Sequence, residues 1–306
     1  MKYKNDFKVV GYFFAGKEQN KFDRIRYDLL THINFAFAIP KRDGTLLPLE
    51  NPEAALRLVK EAHENNCTAG LSVGGWSWQE EMLEQIFVEA TDTDAKIDLF
   101  VDSVMDMVNE YGFDGVDLDW EYPRAGEPSQ ERYEKLMLSL SRRSKAYGKI
   151  LTSAVISGVT PGNVPQPEAS ACTDTVINCV DWLNVMAYDG GDGLAHSSYE
   201  FAVNCGTYWR NIRNISPEKI VLGVPFYGRP SWIAYDEILK IDPNAFDTDI
   251  IDLNGTKVYY NGVDTIRKKT KWAKENLGGI MFWEVSQDVM EKSKSLQQAI
   301  ADEASL

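Results

Sequence analysis

Cysteine and histidine are scarce in this sequence, four of one and three of the other in 306 residues. Cys67, Cys172, Cys179 and Cys205 are too few for a disulfide scaffold and follow no zinc-ligand spacing. They read as buried free thiols, and only Cys172 and Cys179, seven apart, are near enough to bridge locally. His32, His63 and His196 lie far apart, and no Ser-His or Cys-His constellation stands out. Neither a metal site, a cofactor nor a nucleophilic triad is therefore expected. Positive charge is short as well: 32 Lys and Arg face 46 Asp and Glu, a net charge of −14, and no basic block appears. Such a surface repels phosphate backbones and anionic lipids, which argues against nucleic acid as a partner and favours a neutral or polymeric substrate.

Long apolar runs are missing too. The longest near the N-terminus, residues 9–16, is well under half of the ~20 residues that span a bilayer, so no membrane span is expected. Lys2, Lys4 and Lys8 around this stretch imitate a short signal peptide, but it runs into Lys17 and Glu18 without a small-residue cleavage site and reads as a first β-strand. No signal peptide is visible, and export would call for a leader ahead of this strand.

What is present is a regular alternation. Short β-branched or aromatic runs fall at 8–14, 31–39, 68–73, 112–119, 150–156, 181–187, 220–226 and 279–283. Helix-period stretches fall between them at 52–65, 94–111, 130–147, 198–212, 263–275 and 287–303. Alternation implies a parallel sheet, because parallel neighbours need crossovers that helices supply. Eight strands in about 300 residues predict an α/β fold of the closed (β/α)8 TIM barrel type. No linker divides the chain, so residues 1–306 are assigned to one domain. An open doubly wound sheet is the alternative, but Gly11 and Gly16 do not form its phosphate-binding fingerprint.

A barrel of this kind keeps its chemistry at the C-terminal ends of its strands. At the fourth, residues 113–123 read Phe-Asp-Gly-Val-Asp-Leu-Asp-Trp-Glu-Tyr-Pro. Side chains alternate along a strand, so Asp117, Asp119 and Glu121 share one face while Val116, Leu118 and Trp120 share the other. Three carboxyls spaced this closely cannot all ionise in a low dielectric, and at least one must titrate high. Asp114, out of phase, reads as structural. The pattern points to carboxyl acid–base chemistry with one group poised as general acid, as cleavage of a glycosidic bond requires.

The stretch resembles the D-x-x-D-x-D-x-E signature of glycoside hydrolase family 18, the chitinase family, here matched by Asp114, Asp117, Asp119 and Glu121. Residues 72–78 (Ser-Val-Gly-Gly-Trp-Ser-Trp) resemble its S-x-G-G motif, 186–189 (Met-Ala-Tyr-Asp) its M-x-Y-D, and 223–229 and 278–284 its seventh and eighth strands. The resemblance implies Glu121 as general acid and base, and the substrate's own 2-acetamido oxygen as nucleophile. It further implies that Asp119 stabilises the cyclic oxazolinium, that Asp117 shares a proton with Asp119, and that Tyr188 donates its hydroxyl to the acetamido oxygen. Met186 and Asp189 belong to the same sugar site, with Trp283 as its floor and Tyr12 and Phe37 as its walls. Tyr227 and Arg229 would hold sugar hydroxyls or carbonyls, with Tyr122 beside the acid. Of Trp76, Trp78, Trp120 and Trp232, no more than two are expected to be platforms along the groove.

In one respect the chain departs from many family members, which carry a large insertion after the seventh strand. Only 52 residues separate Phe226 from Gly279, room for a helical turn near 235–240 and a hairpin around Asn254-Gly255. The groove is expected to be shallow and open. The implied function is a chitinase acting on chitin or chitooligosaccharides; the alternatives are an endo-β-N-acetylglucosaminidase cutting N-glycans and a catalytically silent chitooligosaccharide-binding lectin. A monomer is expected, placed outside the cell or at its envelope.

Overall fold

The structure, a computed structural model, describes residues 2–16 and 21–305. Lys17 and Glu18, which end the N-terminal apolar stretch, lie outside them. Eight strands close into a parallel barrel: β1 (Lys8–Phe14), β2 (His32–Ala38), β3 (Thr68–Gly75), β4 (Gly115–Trp120), β5 (Ile150–Ile156), β6 (Trp182–Met186), β7 (Ile220–Pro225) and β8 (Gly279–Trp283). Each pairs with its sequence neighbour, and Lys8 opposite Gly279 closes the ring between β1 and β8. The expected (β/α)8 barrel is thus the observed one, with all eight strands within a few residues of their expected bounds. The largest shift is at β4, where Gly112 belongs to the preceding helix: at φ +78° it is the C-cap, the left-handed position glycine adopts without strain.

Helices α1 (Pro52–Glu64), α2 (Leu83–Ala90), α3 (Asp94–Tyr111), α4 (Pro128–Ala146), α5 (Asp174–Cys179), α6 (Tyr199–Thr207), α7 (Tyr235–Ile241), α8 (Val263–Asn276) and α9 (Leu296–Ser305) surround it. Their starts are chemically marked. Asn51 accepts from the Ala54 amide with Pro52 at the first turn of α1, and Thr93 accepts from the Lys96 amide at α3. The expected helix over 287–303 begins only at α9. Buried Asp288 accepts from the Leu296 and Gln297 amides and the Ser295 hydroxyl, and residues 288–295 form the connection that lets it do so. The expected helix over 198–212 ends as α6 plus a π-helical turn, Tyr208–Ile212. The 52-residue segment after β7 holds α7 and a hairpin, Ile250–Leu253 with Thr256–Tyr259, turning at Asn254-Gly255 as expected.

Two cores follow from strand alternation. The larger fills the layer between barrel and helices; the smaller, inside the barrel, holds Val10, Tyr12, Ala36, Ala154, Trp182, Met186, Val221 and Met281. All four cysteines are free and buried, so Cys172 and Cys179 do not bridge. No helix among the described residues is long and apolar enough to cross a membrane.

Outward-facing Trp120 stacks on Phe87 of α2 at 4.8 Å and 10°, and Phe87 also meets Phe100 of α3 at 5.9 Å. Phe87 is fully buried. Phe87→Ala is expected to lower unfolding free energy by about 3–5 kcal/mol in urea titration, since neighbours this rigid cannot close the cavity. A loss below about 1 kcal/mol would show that the layer collapses around the gap.

Candidate active site

The C-terminal strand ends open on a cleft of about 630 Å³. Asp119, Glu121, Tyr122, Met186, Tyr188, Asp189, Tyr227, Arg229, Trp283, Tyr12, Phe37 and Trp76 all line it. The residues expected at the site are therefore brought together, except Asp117, which lies beneath.

Asp117 is fully buried one layer down in the barrel. Its Oδ1 accepts from the Thr152 hydroxyl at 2.5 Å and Asn184 Nδ2 at 3.0 Å, and its Oδ2 from the hydroxyls of Tyr12 at 2.7 Å and Ser72 at 2.9 Å. Register explains the cage, because Ser72 on β3 and Thr152 on β5 are the strand partners of Asp117. Burial pushes its carboxyl above the ordinary range, and these hydrogen bonds pull it back. The donors take up both oxygens, and among the described residues no hydrogen bond joins Asp117 to Asp119. The expected shared proton has no bridge in this arrangement; the coupling between the two is electrostatic. Tyr12, expected as a wall, contributes chiefly as a donor to this cage.

Asp119 is 4% exposed, and its Oδ1 has no hydrogen-bond partner among the described residues. Burial, then the charges of Glu121 and Asp117, push it well above the usual carboxylate value. Glu121 stands half-buried just past the end of β4, pushed up to about 7 mainly by burial, with Asp189 adding and a hydrogen bond from Tyr122 opposing. At neutral pH the site thus holds protonated carboxyl together with a buried acceptor in want of a donor.

Gly74 lets β3 lie close to this stretch. A Cβ there would sit 2.1 Å from the Asp119 carbonyl oxygen, and its φ of +117° is one that side chains rarely adopt. The glycine pair of the S-x-G-G motif is accounted for by that approach.

Around the acids, Tyr188 lines the cleft with its hydroxyl 4.0 Å from Met281 Sδ, and burial, then the charges of Asp119, Glu121 and Asp189, raise it well above its ordinary value. Trp283 stacks against Phe37 at 5.4 Å and 19° and meets Tyr12 and Phe14 at 5.7 and 6.0 Å. Tyr227 donates to Asp189 Oδ2 at 2.5 Å. Arg229 pairs with Asp192 at 2.9 Å and lies 3.8 Å over Trp232, so its charge is already engaged. Tyr122 meets Trp76 at 6.3 Å.

Three of the four candidate tryptophans line the cleft: Trp76, Trp78 and Trp232. Trp120 instead faces the helices, as its phase on β4 requires. Asp114 sits at the other end of β4, accepting from the Ala69 amide and paired with His63, both at 2.8 Å, a structural role. Sequence reasoning passed over Thr152, Asn184, Ser72 as a donor, and Phe14. For the three polar residues the signal was a hydrophilic side chain inside an otherwise apolar strand, plainest for Asn184 in Trp-Leu-Asn-Val-Met; Phe14 carried none.

An eight-stranded barrel presenting a high-titrating carboxyl over an aromatic floor is an arrangement suited to carboxyl acid–base chemistry. The profile of glycosyl hydrolases family 18 matches residues 8–288, and the chain belongs to that family of glycoside hydrolases. It is 26% identical over 312 residues to Chitinase A1 of Niallia circulans, covering 80% of this chain but 43% of that protein, so it spans less than half of this curated relative. Among solved structures it resembles a family 18 chitinase from the chitin utilization locus of Flavobacterium johnsoniae (TM-score 0.81, 28% identity, 97% of this chain and 94% of that one). It also resembles a chitinase from Bacteroides thetaiotaomicron (TM-score 0.82, 26% identity, 97% and 96%).

The raised carboxyl has a consequence for stability. A folded-state value above the unfolded one means its contribution is fully present below about 4.5 and is lost as pH rises through about 7. Glu121→Gln, which cannot ionise, should match wild type in unfolding free energy at pH 4 and exceed it at pH 8 by about 3 kcal/mol. Equal stabilities at pH 8 would mean that Glu121 titrates as an exposed glutamate.

Proposed function

We propose that this barrel is a chitinase that hydrolyses β-1,4 links between N-acetylglucosamine units with retention of configuration. The observation that carries the reading is the pairing of Glu121, raised to about 7, with the partnerless buried oxygen of Asp119. In the proposed first step Glu121 gives its proton to the glycosidic oxygen as the C1–O bond breaks. The carbonyl oxygen of the substrate's 2-acetamido group bonds to C1, forming a cyclic oxazolinium whose N–H donates to Asp119. Tyr188 donates to the attacking oxygen and holds it near C1. Glu121, now a carboxylate, takes a proton from water as that water attacks C1 and opens the ring. Two displacements leave the configuration unchanged, and no protein carboxylate serves as nucleophile, the substrate-assisted exception among glycosidases.

Asp117, caged by four donors beneath Asp119, favours the positive intermediate in this scheme. Trp283 and Phe37 offer flat apolar faces to the C–H face of a pyranose. The lectin alternative is disfavoured because the acid and its partners are all in place. Chitooligosaccharides are the proposed ligands, and the cell exterior or envelope is the proposed place of action.

Wild type should release the fluorophore from a labelled chitotriose and be blocked by a thiazoline mimic of the cyclic intermediate. Glu121→Gln should lose about 10²–10⁴-fold in turnover while still binding oligosaccharide, and Asp119→Asn should lose turnover severely. Unchanged turnover in either variant would refute its assigned role. No release by folded wild type, with release from a high-mannose glycoprotein, would replace the chitinase reading with the endoglycosidase one.

A further inference from the structure

Lys269 lies on the inward face of α8, in line with Val263, Ile266 and Ala273, and is 1% exposed. Arg267, Lys268, Lys271 and Lys274 on the same helix are not buried, so the position is singular. Its ammonium donates to three neutral oxygens: the Ser197 carbonyl at 2.8 Å, the Ser197 hydroxyl at 2.7 Å and Asn261 Oδ1 at 2.7 Å. A buried ammonium costs several kcal/mol, and an apolar side chain would fill the same space at less cost. The nearby carboxylate, Asp249, is occupied by the Gly262 amide at 2.8 Å and the Thr265 hydroxyl at 2.6 Å.

Three acceptors for three N–H groups make a cage that only a charged amine fills completely. What the cage grips leads to the cleft. Ser197 follows buried His196, whose Nε2 lies 3.2 Å from the Tyr227 carbonyl oxygen and whose Nδ1 accepts from the Asp189 amide at 3.4 Å. Asp189 and Tyr227 are themselves joined side chain to side chain.

We propose that Lys269 is a positioning residue for the cleft: from behind the barrel it fixes segment 189–197 and thereby holds Asp189 against Tyr227 at the sugar site. The effect on turnover rests on the chitinase reading; the effect on the segment does not. Lys269→Met keeps the volume and removes the cage's donor. In this variant the amides of 189–197 should exchange with solvent at least about tenfold faster, while those of β4 and β5 keep wild-type rates. With labelled chitotriose, kcat/KM should fall about tenfold, mostly through KM, since Asp119 on β4 and Glu121 just past its end are not held by this segment.

In an Asp189→Ala background the same substitution should change kcat/KM less than about twofold, because the side chain that Lys269 is proposed to hold against Tyr227 is gone. Ser197→Ala, which removes one acceptor, should move exchange and KM in the same direction by less, and it carries the test if Lys269→Met does not fold. Wild-type exchange at 189–197 in the folded variants, or a full penalty persisting in Asp189→Ala, would overturn the proposal. An inactive wild type would sink the chitinase reading while the exchange comparison still decides this one.

Discussion

A carboxyl group sealed inside a barrel must either take up a proton or be surrounded by donors, and the rest of this site depends on how Asp117 meets that demand. Four donors from β1, β3, β5 and β6 converge on its two oxygens. These donors favour the ionised form against the burial that opposes it, and whatever charge Asp117 carries acts upward on Asp119. Asp119, next on the same face, is raised by its own burial, then by the charges of Glu121 and Asp117, and is left with an oxygen that nothing among the described residues satisfies. The gradient runs along one strand, from a caged carboxyl through an unsatisfied one to an acid at the cleft.

The other face of β4 shows why the strand can carry this load. Val116, Leu118 and Trp120 are buried among the helices, and Trp120 is fixed between Phe87 and Tyr133. Cohesion outside the barrel thus offsets three carboxyls within it. The two functions do not compete for positions, because strand geometry deals them alternately to opposite sides.

Much of this was legible in advance, for definite reasons. Period-two alternation at 117, 119 and 121 fixed which carboxyls point inward, and the spacing of β-branched runs fixed the number of strands. What escaped was whatever depends on partners distant in sequence. Asn184 lies 67 residues from Asp117, and the Thr152 and Ser72 hydroxyls become donors only through strand register. Helix bounds failed where a side chain intervened, as at Asp288, whose bonds to Leu296 and Gln297 delay α9. Trp120 was offered as a platform because aromatics near a motif invite that reading, although its phase already assigned it to the helical layer.

The exposed tryptophans at the rim carry a different implication. Trp76 and Trp232 are 54% and 58% exposed, hold none of the barrel together, and lie away from the caged Asp117. The hydrogen bonds around Asp117 also fill the barrel's interior, so a change there endangers the fold itself. The rim carries no such burden, and substitutions at Trp76 and Trp232 can reshape the edge of the cleft while the barrel beneath is left alone.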